Sequence, residues 1–382
     1  MHDGDAAPRS RRSAGAVRIG IDGRELNPEK RGIGRYVWEL CRALDRRVPD
    51  AEFVVYSRHS IELPVDSERW SLRTDPSSAG RRLSPLLWLK LRGGTLCRSD
   101  RLDAFWGTAV FLPRLRRGVR TVVSVYDLCH LLTPQTFDPL HLRGVRLFFE
   151  ADVRRADAVL TVSRGTADRL QRHLGRVADG VVVPGIGPEF RSHAPEVVES
   201  CRKLYGLPGP YLLTVAAWEP RKNLALLTEC FLDLKRQGHL PDHRLVLVGK
   251  EARRGMDDLR ILLRHDGGRD VVSLGYVPDA DLPALYSGAD AFVLASSYEG
   301  FGMPVIEARA CGTRVVATDI PELHEAGGDE ATYVQPTRAG IRQGILSALA
   351  RARPGSRSAL PTWDQGAGIL ARTFAGTAPP PS

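Results

Sequence analysis

Two successive sets of short apolar runs alternate with longer amphipathic stretches along almost the whole chain, and few folds accept such a pattern. In the first half the runs are VRIGID, FVVYS, TVVSVYDL, AVLTVS and GVVVPG; in the second they are YLLTVA, RLVLVG, VVSLG, AFVLAS and RVVATD. Runs of this length, rich in Val and Ile and without polar alternation, are strands buried on both faces. The stretches between them predict helices over 35–46 and 141–156 in the first half and over 223–237 and 281–287 in the second. Strand and helix in alternation mean parallel sheets covered by helices on both sides, so the fold class is α/β.

Size turns one such unit into two. The chain has 382 residues, more than one ordinary core holds, and 43% hydrophobic with 26% charged residues is a globular composition. A stretch rich in Pro, Gly and charge over 185–210 separates the halves. The expected division is a disordered tail at 1–16, a Rossmann-like domain at 17–195 and a second at 196–355. A C-terminal helix over 356–376, returning to the first domain, and a tail at 377–382 complete it. The N-terminus has no apolar h-region of a signal peptide, and no run is long enough to span a membrane. Six scattered cysteines without a C-x-x-C pair argue for a reducing compartment, and the expected location is cytoplasmic. The net charge of +9 attracts anions, whether nucleic acid, acidic lipid or a phosphorylated small molecule.

Four segments carry chemistry. In SSYEGFGMPVIEARACG, Glu299 follows a strand, Pro304 suits the first turn of a helix, and Glu307 falls about one turn into it. Gly300 and Gly302 permit a sharp bend and close approach of a ligand, and the exposed N–H groups of the helix start form an anion site. A carboxylate on each side suits a molecule with hydroxyls at both ends and phosphates between, which describes a nucleotide-sugar. The alternative is that Glu307 complements the helix dipole and Glu299 is solvated. In AAWEPRKNLALL, Arg221 and Lys222 stand before a helix, placed for a diphosphate or else simply solvated. In GREL…RGIGRYVWEL, Gly32 and Gly34 open a helix, where they cradle phosphate or make a plain turn; the Walker pattern is absent. In TVVSVYDLCHLL, Tyr126, Asp127 and His130 sit at a strand end, with Asp127 alternatively capping the next turn. The D-x-D of PDADL (Asp279, Asp281) reads as a helix cap before a metal site, so no metal is assigned.

The block over 276–328, YVPDADLPALYSGADAFVLASSYEGFGMPVIEARACGTRVVATDIPELHEAGG, closely resembles the donor-binding half of family 4 glycosyltransferases, and EPRKNL, GIGRYV, ADAVLTVSRGTADRL and VPGIGPEF resemble the same family. The resemblance implies the GT-B fold of two Rossmann-like domains facing a central cleft. It also implies transfer of a sugar from a nucleotide-sugar to a hydroxyl with retention at the anomeric carbon, without metal or other cofactor. On this basis Glu299 opens the family's Glu-seven-residues-Glu motif and holds donor-sugar hydroxyls. Gly300, Phe301, Gly302 and Met303 offer backbone N–H groups, and Glu307 holds the ribose. Arg221 and Lys222 bind the diphosphate, where Arg221 stands in for an arginine that many relatives carry at the position of Ala217. Gly32 and Gly34 approach the diphosphate, and Tyr276 and Val277 lie where the base is held. Many relatives have His-Asp where this chain has Tyr126-Asp127, and a tyrosine cannot become a cation near neutral pH.

By the same resemblance the donor is a GDP- or UDP-sugar, with mannose favoured, and the acceptor a glycan, a lipid-linked molecule or a small molecule. The alternatives are a nucleotide-sugar hydrolase or epimerase, and a decayed transferase that only binds. Nucleic acid is not expected, because the basic residues are dispersed. The segment RRLSPLLWLKLRGGTLCR (81–98) mixes Leu and Trp with Arg and Lys; it either packs on the first sheet or makes peripheral membrane contact.

Overall fold

The computed structural model describes residues 16–26, 32–251, 257–265, 270–354 and 359–377. Apart from Ala16 and Thr377, the two tails expected to be disordered lie outside these residues.

The first seven strands are β1 (Arg18–Asp22), β2 (Glu52–Ser57), β3 (Trp70–Thr74), β4 (Ala104–Gly107), β5 (Arg120–Val125), β6 (Ala158–Thr161) and β7 (Gly180–Val181). They form one parallel sheet in the order β3-β2-β1-β4-β5-β6-β7. The remaining six are β8 (Tyr211–Val215), β9 (Arg244–Val248), β10 (Val271–Gly275), β11 (Ala291–Leu294), β12 (Arg314–Thr318) and β13 (Thr332–Val334). These make a second parallel sheet, β10-β9-β8-β11-β12-β13. The chain therefore has the expected two-sheet α/β architecture. In each sheet the strand order reverses beside the first strand, at β1/β4 and at β8/β11, and loops leaving strands at such a switch point diverge to make a crevice.

Sequence periodicity misses three strands. WSLRT (β3) alternates poorly, TYV (β13) is short, and AFWG (β4) is only four residues long although every one of them is buried. Trp106 in β4 nevertheless anchors the first core, where its indole N–H donates to Ser124 Oγ at 2.9 Å.

The last helix, Trp363–Phe374, packs along the Ile33–Arg47 helix of the first unit. Thr362 and Gln365 form a reciprocal capping box at its start. Arg120 Nε donates to the Thr373 carbonyl at 2.7 Å, and Arg46 pairs with Asp364 at 2.9 Å. The 81–98 segment is helical in short pieces (Ser78–Arg82, Pro85–Trp88, a π turn Leu89–Gly93 and Gly94–Cys97). It packs on the first unit through Leu86, Trp88, Leu89 and Cys97, while Leu87 and Leu91 face out.

All six cysteines are buried free thiols. Among the described residues no helix is long and apolar enough to cross a membrane, and no group of three or more His, Cys, Asp or Glu could hold a metal ion.

Candidate functional site

Loops from both switch points converge on a cleft of about 450 Å³. From the first unit it is lined by Gly32, Ile33, Arg35, Tyr36, Tyr126 and Asp127. The second unit contributes Arg221 and Lys222 after β8, Gly249 and Lys250 after β9, and the Glu299–Pro304 turn after β11. Residues far apart in sequence meet there because parallel strands put all their carboxyl ends on one edge.

Glu299 is the electrostatic centre. Lys222 Nζ lies 2.5 Å from its Oε1, Arg221 Nη1 lies 3.1 Å from its Oε2, and Ser296 Oγ donates to Oε1 at 2.7 Å. Burial alone would raise this carboxyl, but the charges of Lys222 and Arg221 outweigh it and hold Glu299 below its ordinary value of 4.5. Arg221 is further anchored by Glu219 at 2.8 Å and by the Tyr298 carbonyl at 2.9 Å. The turn that carries the two cations is short: Pro220–Lys222 makes one 3-10 turn, and Asn223 takes a left-handed conformation before the Leu224–Arg236 helix.

Beyond Glu299 the chain turns through Gly302, at φ 101°, into the Met303–Ala310 helix. Among the described residues, the N–H groups of Phe301, Gly302 and Met303 meet no protein acceptor, and all three residues line the cleft. N–H groups left without acceptors at a helix start are the kind of arrangement that can accept an anion.

Gly300 is glycine for another reason. A Cβ there would overlap the Tyr126 carbonyl of the opposite unit. Gly300→Ala should force the units apart locally and destabilise the protein by about 2 kcal/mol, the usual cost of overpacking, read as a lower melting temperature.

Glu307 is the second acid, 4% exposed. Its Oε1 accepts from Arg35 Nη1 at 2.8 Å and its Oε2 from the Tyr286 hydroxyl at 2.8 Å. Burial raises this carboxyl above its ordinary range despite the pull of Arg35. Arg35 comes from the Ile33–Arg47 helix of the other unit, lies 4.7 Å over the Phe190 ring and reaches Glu189 at 3.4 Å. An ion pair thus spans the cleft. The arginine of GIGRY carries no local sign of the acid it meets, so the sequence alone does not place Arg35 in the site.

Several expected residues take other places. Gly32 lines the cleft at φ 48°, whereas Gly34 does not; the absence of a side chain at Gly34 admits the Glu25 carbonyl, which a Cβ would approach to 2.7 Å. The Tyr126 hydroxyl donates to the Thr108 carbonyl at 2.6 Å, its ring packs edge-on against Tyr36, and burial raises it well above an ordinary phenol. Asp127 lines the cleft while its Oδ1 accepts the Cys129 N–H at 2.9 Å, so the turn-capping alternative is realised as well. His130 turns away: its ring packs 4.1 Å from that of Phe149, and burial lowers its pKa to about 4. It does not supply the missing imidazole. Val277 is buried and Tyr276 half exposed on the cleft wall, with Lys250 5.9 Å from the Tyr276 ring. Asp281 stands at the N-cap position of the Leu282–Gly288 helix, but its side chain makes no capping bond there and instead accepts from the Tyr205 hydroxyl at 2.6 Å.

Comparison with known proteins resolves the family. The model for glycosyl transferases group 1 matches residues 205–349, and that for Glycosyltransferase Family 4 matches residues 30–188. The chain belongs to glycosyltransferase family 4. It is 29% identical over 323 residues to O-antigen chain mannosyltransferase B of Escherichia coli, covering 80% of this chain and 83% of that one. Sucrose-phosphate synthase from Thermosynechococcus elongatus superposes with a TM-score of 0.68 at 18% identity, over 95% of each chain. Anabaena HepE in complex with UDP and glucose does so with a TM-score of 0.63 at 15% identity, over 95% of this chain and 94% of that one. This family 4 enzyme has the GT-B arrangement, and its two family-matched segments contribute opposite walls of the cleft.

Proposed function

We propose that this glycosyltransferase moves a hexose, mannose in the first instance, from a nucleoside-diphosphate sugar to a hydroxyl acceptor with retention at the anomeric carbon. The observation that carries the reading is the order of groups along one wall. The wall starts at Glu299 beside two cations, continues through unpaired N–H groups at a helix start, and ends at Glu307 one turn on. That sequence matches sugar hydroxyls, a diphosphate and a ribose in turn. The curated relative from Escherichia coli is a mannosyltransferase, and HepE was solved with UDP, which supports the donor class.

In this reading Lys222, Arg221 and the N–H groups of 301–303 take the diphosphate charge, while Glu299 and Glu307 orient the donor's two ends. The bond from the anomeric carbon to the phosphate oxygen breaks with its electron pair going to the diphosphate. The acceptor oxygen then bonds to that carbon from the same face, and its proton ends on the departing phosphate. Charge stabilisation of the leaving group is the main term, and the closed cleft keeps water out. The Tyr126 phenol, its proton held by Thr108, serves as wall and not as acid. No metal is needed, so turnover should persist with a chelator present.

Thermal-shift screening of GDP- and UDP-sugars tests the donor, since a ligand of the folded state raises its melting temperature. Proton NMR of the product tests the stereochemistry. An inverted anomeric centre, or consumption of the donor at the same rate without acceptor, would overturn the reading in favour of another chemistry.

A peripheral membrane contact is proposed for the same enzyme. The 81–98 segment lies beside the Pro139–Arg155 helix, with Leu86 near Gly144 and Lys90 4.8 Å over the Phe148 ring. The two leave Leu91 (64% exposed), Leu140 (78%) and Leu147 (68%) outward, amid exposed Arg82, Arg98, Arg143 and Arg146. Apolar side chains ringed by cations fit an anionic lipid surface. Cosedimentation with phosphatidylglycerol vesicles should fall on adding salt and in a Leu91→Asp/Leu147→Asp variant. Equal binding to neutral phosphatidylcholine vesicles would refute it.

A further inference from the structure

The donor-side turn after β11 is gripped by the opposite unit. Ser163 Oγ donates to the Gly300 carbonyl at 2.6 Å, and Thr166 Oγ1 lies 3.1 Å from the same oxygen. Ser163 also caps the Arg164–Leu174 helix by accepting the Thr166 N–H at 2.9 Å, and both hydroxyl residues are wholly buried. Thr166 Oγ1 has one hydrogen, and the Gly300 oxygen is nearer than its other acceptor, the Tyr126 carbonyl at 3.3 Å. The second unit answers at the same helix. Glu325 accepts the Arg164 and Gly165 N–H groups at 2.8 Å each, and Glu322 pairs with Arg169 at 2.6 Å. This helix start is therefore one joint between the units, and it leaves the Gly300 carbonyl with both lone pairs used.

The peptide plane transmits that grip. The Gly300 C=O and the Phe301 N–H belong to one rigid trans unit, so fixing the first toward the opposite unit points the second the other way. The Phe301 N–H belongs to the row of groups that, among the described residues, meet no protein acceptor. We infer that Ser163 and Thr166 are positioning residues: closing the units sets their hydroxyls on the Gly300 carbonyl and so aims the 301–303 amides at the developing diphosphate charge. The role in transfer rests on the proposed function; the grip on the turn does not.

Thr166→Val removes the donor without touching the helix cap, and Thr166→Ser restores it. With GDP-mannose and UDP-glucose as donors, Thr166→Val should lower kcat about tenfold, the worth of one hydrogen bond carried into the transition state. Adding Ser163→Ala should bring the loss to about a hundredfold by the same arithmetic, with donor KM changed less than about threefold. Thr166→Ser should return near wild-type kcat. Amide exchange of the 296–303 segment should quicken in the double variant while the β8 and β9 amides stay protected. Wild-type exchange in that segment, or a raised KM at unchanged kcat, would overturn the inference, because the hydroxyls would then only hold the units together. If neither donor binds the wild type yet the segment still loosens in the double variant, the grip is supported and the donor reading falls instead.

Discussion

Lys222→Ala should lower kcat/KM for sugar transfer by about two orders of magnitude, the usual loss when one preorganised group facing transition-state charge is removed. The loss should fall mainly on kcat, since Arg221 remains to bind the ground-state diphosphate. A second signature follows from the geometry. Lys222 and Arg221 together hold the buried Glu299 carboxyl below its ordinary 4.5 against the opposing effect of burial. A carboxyl depressed in the folded state adds stability above its unfolded pKa, and that stability disappears as pH falls through the folded value. Without Lys222 burial meets only Arg221 and the Ser296 hydroxyl, so Glu299 titrates higher and the acid limb of the pH profile should move up. Wild-type turnover in this variant would remove the phosphate role. An unmoved acid limb would remove the coupling to Glu299.

Arg35→Ala should be the most destabilising exchange at the cleft, by about 3 kcal/mol, because it leaves a buried acid without its cation. The Arg35 and Glu307 side chains are 11% and 6% exposed, so water replaces little of the lost interaction. Glu307 already titrates above the ordinary 4.5 through burial, and losing Arg35 should push it higher still. A carboxyl raised in the folded state lowers stability as pH climbs from its unfolded value through its folded one. The variant's melting temperature should therefore trail the wild type more at about pH 8 than at about pH 5. Glu307→Gln added to Arg35→Ala should recover part of the loss by removing the stranded charge. No recovery would mean that Arg35 acts through its packing on Phe190 instead.

The Glu299–Glu307 segment was legible because its signals are local. A strand end, two glycines, a proline in the first turn and an acid one turn on are read within a dozen residues, and the structure folds them as that spacing dictates. The Arg-Lys pair was legible as a cation site but not as the partner of Glu299, since 77 residues separate Lys222 from that acid. Gly34 shows the opposite limit. G-x-G looks like a phosphate cradle, yet the second glycine is required by a backbone carbonyl packed against it and the first alone reaches the cleft. His130 lies near the missing imidazole in sequence, but the short Cys129–Leu132 helical turn carries its ring toward Phe149. β4 escaped detection because a four-residue run buried on every side has no period to measure.

Local chemistry thus settles the class of fold and the reactive vocabulary, because apolar periodicity, glycine conformations and helix-start residues act over a few neighbours. Pairing across the cleft lies beyond it. That Arg35 meets Glu307 and that Ser163 and Thr166 hold the Gly300 carbonyl follow only once the two units face each other, and the Tyr126 hydroxyl donates to the Thr108 carbonyl only once β4 and β5 are paired. Such contacts depend on distances between elements remote in the chain, and burial then decides which of these polar groups must find a partner.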